Sequence, residues 1–338
     1  MLDNLKPLVN HHKAATAIAL LFFIIATTYS IINPLFEASD EVWHYPFVWQ
    51  LARTGQLPVQ DPANVQLWRQ EASQPPLYYA VAALLTASIP NDDLPSLIYR
   101  NPHADIGVVT PDRNTNIIIH TDREQWPWRG SVLGAHITRI FSVLLSTGSI
   151  LTLYAIGRLI WPENKQFALL TMMFAAFNPM FLFISSSVNN DNAITFIAAL
   201  LIWQLIHLMT MNPPFSTKRF AILGGLVGLA ALSKVSGLGL LGLTGLTIFW
   251  QGWRQRSWHI AFGGNTIMTV TALIIAGWWY WRNFTLYGDL TGTSIMVAMM
   301  GARVLPPTPG QLLGEVPGLM RSFWGLFGGL SVAFPNFI

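Results

Sequence analysis

Residues 14–32 read AATAIALLFFIIATTYSII, and residues 33–44 continue NPLFEASDEVWH. The first run carries no charge and is long enough to cross a hydrocarbon core, which takes about 20 apolar residues. The second brings two carboxylates, Asp40 and Glu41, and an imidazole, His44, to the point where the run ends. Lys6 and Lys13 precede the run, as basic residues precede a secretory signal. The apolar stretch is too long for such a signal, however, and no small-residue cleavage site follows before Asn33-Pro34. A retained first membrane helix is therefore expected, with polar chemistry at its far rim.

Six more segments share the character of the first: 133–160, 167–185, 193–211, 220–232, 235–250 and 260–281. The two that meet at Ser233-Lys234 are short. Composition agrees with lipid as the main solvent: 10% of residues are charged and mean hydropathy is +0.43, against about 25% charged in a soluble domain. The 14 tryptophans suit the aromatic belts of a membrane interface. A net charge of +3 invites a nucleic-acid reading, but the basic residues lie in short loops between apolar runs rather than in one stripe, so no nucleic acid is expected. The absence of cysteine excludes disulfides, thiolate metal sites and a cysteine nucleophile. The fold class expected is all-α integral membrane, with about seven spanning helices and one long outer loop.

Orientation follows from the basic residues of the short loops. Lys6, Lys13, Arg158, Lys165, Lys218, Arg219, Arg254 and Arg256 fall on one side, and only Asp3 and Glu163 of the 16 acidic residues join them. That side is expected to be cytoplasmic, with the N-terminus there. Four segments result: 1–33, the N-terminus and first helix; 34–130, an outer loop; 131–281, helices two to seven; and 282–338, a second outer segment. A loop as long as 34–130 exceeds what a connection needs. Within it, Asp40 to Arg53 is expected to form an amphipathic helix with Trp43, Phe47 and Trp49. Leu77 to Ile89 is expected to lie in the interface plane, because it is apolar but too short to span.

The residues able to do chemistry gather on that outer side. His44 lies three and four positions after Glu41 and Asp40, on one helical face, as a general base and its orienting partners or half of a metal site would. The plainer alternative, compatible with the first, is that Asp40 caps the helix and Glu41 favours its first turn. Glu71 precedes Gln74-Pro75-Pro76-Leu77-Tyr78-Tyr79, where two prolines fix the backbone before the apolar segment. Lys234 stands at the break between two apolar runs, either as an intramembrane charge with a function or as a side chain snorkelling to the interface. Arg282, in WRNFTLYGD at 281–289, either grips a phosphate by paired hydrogen bonds or anchors its helix. Asp191, in NNDN at 189–192, is a helix-cap candidate first and a site wall second. No phosphate-binding glycine loop occurs in a strand–helix context, so no nucleotide cofactor is expected and the substrate must arrive from the membrane or the outer compartment.

Taken together these residues resemble the GT-C superfamily of integral-membrane glycosyltransferases, in the protein-O-mannosyltransferase and aminoarabinose-transferase branch with its bacterial relatives. Asp40-Glu41 resembles the acidic pair after helix one. Gln74 to Tyr79 resembles the Lys/His/Gln-Pro-Pro-Leu element. His136 with Arg139-Ile140-Phe141-Ser142 resembles the opening of helix two. Asn190-Asp191, Leu232-Ser233-Lys234 and Trp281 to Asp289 fall where similar segments recur. The resemblance implies inverting transfer of a sugar from a polyprenyl phosphate to an acceptor hydroxyl, at the extracytoplasmic face of a bacterial cytoplasmic membrane. It implies Asp40 as the base, Glu41 as its orienting group and Glu71 at the donor or metal site. Lys234 and Arg282 would hold the donor phosphate, with His44, Asp191 and Arg139 as site walls. Some relatives use a divalent cation and others do not, which leaves the metal unassigned; membrane-protein partners are also in keeping with the resemblance. Relatives carry eleven or more helices, so this chain, which ends FPNFI at 334–338, is expected to be the shared module without the variable C-terminal part.

Two other classes compete. A membrane scaffold built on an inherited module would explain the short chain, but not the retention of Asp40, Glu41, Glu71, Lys234 and Arg282 together. A transporter would place its polar groups near the midplane, whereas these lie at one rim.

Overall fold

A computed structural model describes residues 12–108, 114–302 and 305–333. Lys6, Asp3 and the final segment 334–338 lie outside the described residues. Each of the seven apolar segments forms helix. In chain order the long helices are α1 (Lys13–Ile32), α5 (Gly130–Ile160), α6 (Lys165–Ala176) with α7 (Pro179–Ser185), α8 (Asp191–Met211), α9 (Thr217–Ser233), α10 (Gly239–Arg254) and α11 (Asn265–Tyr287). Single turns at Val235–Leu238 and His259–Gly264 lengthen α10 and α11 at their starts.

Among the described residues, five of these are long and apolar enough to span. The α6–α7 pair makes a sixth if counted as one span bent by 65°. The bend has a local cause. Asn178 leaves the helix and caps the next one, its Oδ1 accepting from Phe181 N at 3.0 Å, and Pro179 starts the new axis. α9, at 17 residues, sits at the lower limit of a span. It packs tightly on α11 because Gly224 and Gly228 carry no side chain there. A Cβ at Gly224 would lie 2.3 Å from Met268 O, and one at Gly228 2.8 Å from Ile275. Small residues four apart permit this approach of two backbones.

The 34–130 loop folds into a cap over one end of the bundle. α2 (Glu41–Thr54) and α3 (Leu77–Thr86) pack on each other and α3 on α5, with a short helix α4 at Leu94–Leu97. Here the structure corrects an expectation. α2 is not an amphipathic surface helix, because every residue from His44 to Trp49 is buried. Phe47 stacks on Tyr79 with ring centroids 4.0 Å apart, and α3 and the surrounding loop cover the helix on its other sides. α3 keeps an exposed edge at Leu84 and Leu85 and buries the rest against this core. The loop is tied to the end of α1 by Glu37, which accepts from Ile117 N and Ile118 N at 2.8 Å each. His120 bridges Glu37 at 3.1 Å and Glu124 at 2.8 Å. The two carboxylates raise the His120 pKa to about 9 despite its partial burial, which works the other way. After α11 come α12 (Thr293–Met300), α13 (Pro309–Gly314), α14 (Val316–Trp324) and a two-stranded hairpin, β1 (Leu326–Phe327) with β2 (Val332–Ala333), in the register Leu326↔Ala333.

Candidate active site

Asp40 sits at the junction between α1 and α2 in a left-handed backbone conformation, φ 58° and ψ 0°. Aspartate tolerates this region better than most residues, yet such a conformation is held only where surrounding structure dictates it. Its carbonyl oxygen accepts from Trp43 N and His44 N, so the backbone does start the helix. Its side chain makes no capping hydrogen bond, and the simple cap reading fails. Burial pushes the Asp40 carboxyl up, the charge of Lys234 pulls it down, and that of Asp191 pushes it up again. Asp40, Lys234 and Asp191 thus share one electrostatic neighbourhood, although they are some 190 residues apart in sequence at most.

Two breaks in the helices supply the other charges. Lys234 follows the last turn of α9, and its Nζ binds the Asp191 carboxylate at the start of α8. Asn190 sets this pairing: its Nδ2 donates to Ser233 O at 3.0 Å and to Gln74 Oε1 at 3.4 Å. One asparagine thereby ties the start of α8, the end of α9 and the Pro-Pro element. Sequence reasoning gave Asn190 no role, because its partners lie 43 and 116 positions away. Asp191 is likewise no cap; it is the first residue of α8 and its carboxylate is spent on Lys234.

Glu71 lies on a single helical turn, Arg69–Ser73, and is buried. Burial first and the Asp40 charge second raise its pKa to about 8, with Lys234 opposing. At neutral pH Glu71 is therefore protonated. Its Oε2 lies 3.3 Å from His44 Nδ1 but has no hydrogen-bond partner, because that nitrogen is engaged with Tyr79 OH at 2.7 Å. Burial and Lys234 push the His44 pKa down to about 3, so the imidazole is neutral. His44 is thus hydrogen-bonded to Tyr79 with the Glu71 carboxyl beside it, rather than paired with Asp40 and Glu41 as helical spacing suggested.

Glu41, next to Asp40, has an opposite environment. Neither it nor Arg139 is exposed at all. Arg139 Nε donates to Glu41 Oε1 at 2.8 Å and Nη2 to Glu41 Oε2. The remaining guanidinium protons go to the carbonyls of Ser30, Asn33 and Pro34 at 2.8–2.9 Å. Glu41 also accepts from Phe36 N at 3.0 Å and Val188 N at 2.8 Å. Every donor of the guanidinium is used, and the pair latches the end of α1 to α5 and to the residues before α8. Glu41 therefore holds the backbone around Asp40 and has no free oxygen with which to orient its carboxylate.

Arg282 stands apart. Its guanidinium lies over the Trp279 ring, 4.9 Å from the centroid, and Nη2 donates to Pro58 O at 2.9 Å. Its Nη1 is buried without a partner. These contacts join it to the 57–60 stretch rather than to the Asp40–Lys234 group. The structure thus gathers Asp40, His44, Glu71, Asp191 and Lys234 into one cluster, sets Glu41 and Arg139 beside it as a latch, and places Arg282 on a separate support. Among the described residues, no three His, Asp or Glu side chains are grouped as a metal ion would need.

Residues 132–281 match the family model of dolichyl-phosphate-mannose-protein mannosyltransferases. The match takes in Arg139, Asp191 and Lys234 but covers less than half of the 338 residues. No curated protein matches the chain. The fold is shared with the solved Pmt1-Pmt2 protein O-mannosyltransferase complex of S. cerevisiae bound to the sugar donor, at a TM-score of 0.52 and 16% identity. That likeness covers 80% of this chain and 34% of the yeast chain, so this chain spans about a third of its solved relative. The chain is a multi-pass membrane protein whose membrane helices match the pattern of this mannosyltransferase family and whose fold resembles that of a solved protein O-mannosyltransferase.

Proposed function

We propose that the chain transfers a sugar from a polyprenyl-phosphate donor to an acceptor hydroxyl on the extracytoplasmic side of the membrane, inverting the anomeric carbon. The observation that carries this reading is the state of Asp40. It is a partly exposed carboxylate in a forced backbone conformation, released from capping and set against a lysine–aspartate pair at the ends of α9 and α8. Of the other acids in the cluster, Asp191 is committed to Lys234, and Glu71, with a pKa of about 8, carries a proton at neutral pH and cannot accept one. Asp40 is the base by elimination as well as by position.

In the proposed step the acceptor oxygen attacks the anomeric carbon while Asp40 takes its proton. The bond from that carbon to the phosphate oxygen breaks, and the polyprenyl phosphate leaves with the electron pair. A single displacement from the opposite face inverts the configuration. Lys234 stabilises the negative charge that grows on the departing phosphate. Asp191 holds the ammonium in place until the phosphate arrives and competes for it. Glu41 and Arg139 position the loop that carries Asp40. Arg282, supported on Trp279 and Pro58 with Nη1 unspent, meets the donor farther along its path. The positive-inside pattern supports placing the cluster outside and the N-terminus in the cytoplasm.

A non-catalytic membrane subunit is the second reading, and one observation favours it: Lys234 is already neutralised by Asp191. Incubating the purified protein with a radiolabelled polyprenyl-phosphate sugar and a hydroxyl acceptor decides between them. Transfer by the wild type that falls at least about tenfold in Lys234→Met supports the enzyme. Absence of transfer by the wild type supports the scaffold. Orientation is tested with a cysteine at Asn114, which should react with an impermeant thiol reagent in intact cells. Labelling instead of a cysteine at Ser216 would reverse the topology.

A further inference from the structure

At the end of the bundle opposite the acidic cluster, α5 is flanked by the start of α1 and the end of α8, and between them lies a cavity of about 500 Å³. Arg158 lies in its wall, two residues before the end of α5, with His12 and His207 contributed by the segments on either side. Arg158 Nη1 is buried without a hydrogen-bond partner. A lone cation in the last turn is favoured by the helix dipole, but that does not account for a buried guanidinium nitrogen with no acceptor, which costs free energy wherever it stays unpaired. His12 is oriented by its neighbour: His12 Nδ1 and Tyr154 OH are 2.8 Å apart. Among the described residues, none that lines the cavity is acidic. The rest of the wall is apolar, with Leu151, Ala155 and the Trp203 ring leading away from Arg158 toward the middle of the bundle.

We propose that this cavity binds an anionic phospholipid, its headgroup phosphate on Arg158 between His12 and His207, and one acyl chain along Leu151, Ala155 and Trp203. A guanidinium is suited to two oxygens of one phosphate. The union of one cationic end with an apolar trough calls for an amphiphile rather than a free anion, and the volume suits a headgroup with part of a chain. The site is independent of the glycosyl-transfer reading: it lies at the opposite end of α5 and α8 from Asp191, and on the proposed orientation it takes its lipid from the inner leaflet.

The test is native mass spectrometry of the detergent-purified protein titrated with phosphatidylglycerol, with phosphatidylcholine of the same chains, and with inorganic phosphate as competitor. The expected result is retention of phosphatidylglycerol over phosphatidylcholine, a loss of roughly tenfold or more in that retention in Arg158→Gln, and no displacement by inorganic phosphate. Ala155→Phe, which leaves Arg158 intact and fills the trough, should weaken the lipid as well; it decides the matter if Arg158→Gln does not fold. Equal retention of both lipids with no effect of Arg158→Gln would mean an apolar crevice and overturn the proposal. Displacement by inorganic phosphate with no effect of Ala155→Phe would mean an anion site and overturn it equally.

Discussion

Asp40 and Glu41 are consecutive acids, yet the structure treats them as opposites. Glu41 is fully enclosed, and both its oxygens are committed to Arg139, Phe36 N and Val188 N. Asp40 is partly exposed, makes no capping bond, and sits in a left-handed conformation facing charges from two other helices. The first arrangement spends its whole hydrogen-bonding capacity on holding α1, α5 and the approach to α8 together. The second keeps its capacity in reserve. Chemistry belongs where capacity is unspent, and stability where it is saturated. A pair that reads in sequence as one motif therefore divides its labour by a one-residue turn of the backbone.

The largest effect expected of breaking this comparison is on the latch. Arg139→Met should destabilise the protein by about 3–5 kcal/mol, because it leaves the Glu41 carboxylate buried without its partner. Thermal unfolding in detergent would show it as a large fall in midpoint. Adding Glu41→Gln to Arg139→Met should restore part of the loss, since the uncompensated charge is then gone. A double variant worse than Arg139→Met would mean that the two side chains do not act as a unit.

A smaller effect is expected at the other pair. Lys234 and Asp191 side chains are 30% and 43% exposed, so Lys234→Met should cost under about 1 kcal/mol of stability while lowering transfer. A midpoint shift as large as that of Arg139→Met would place Lys234 among the structural residues and erase the contrast.

The third prediction concerns pH. Glu71 has a pKa near 8 when folded, against an ordinary 4.5. Between those values the folded state holds a proton that the unfolded state has released, so this group makes stability fall as pH rises from 4.5 through 8. Glu71→Gln should remove that slope. His120 works in the same direction by a different route. Its folded pKa is about 9 against 6.5, so the stability it lends is complete below 6.5 and is lost as pH rises through 9. In His120→Gln the fall between 6.5 and 9 should be shallower, and in the double variant nearly absent. Unfolding midpoints measured across this range test both. An unchanged slope in Glu71→Gln would mean that Glu71 is ionised and would return it to contention as the base.

Much of this molecule is legible in its sequence, and the boundary is physical. All seven apolar segments form helix, because a bilayer imposes a length and a composition that no soluble neighbour can override; among the described residues five of them, or six with the bent pair, are long enough to span against the seven expected. Lys13–Ile32 differs from the sequence reading by a single residue at its start. α2 was misread because burial of a short helix depends on what folds over it, and the loop that covers it lies far downstream. The members of the cluster could be named from their position at helix breaks. Their pairings could not, since Arg139 lies 98 positions from Glu41 and Asn190 116 from Gln74. A helix wheel offers His44 to Asp40 and Glu41; only the fold brings Glu71 and Tyr79 to it instead.

The measurement that bears most directly on the division of labour is a side-by-side assay of Asp40→Asn and Glu41→Gln for sugar transfer and for thermal stability. Asparagine keeps the shape, tolerates the same left-handed conformation and equals aspartate as a cap, so only the proton acceptor is lost. The account predicts that Asp40→Asn loses roughly two to four orders of magnitude in transfer at an unchanged unfolding midpoint. It predicts that Glu41→Gln drops the midpoint sharply, with residual transfer tracking the folded fraction. Asp40→Asn transferring sugar at the wild-type rate, or losing it only in proportion to lost fold, would contradict the account.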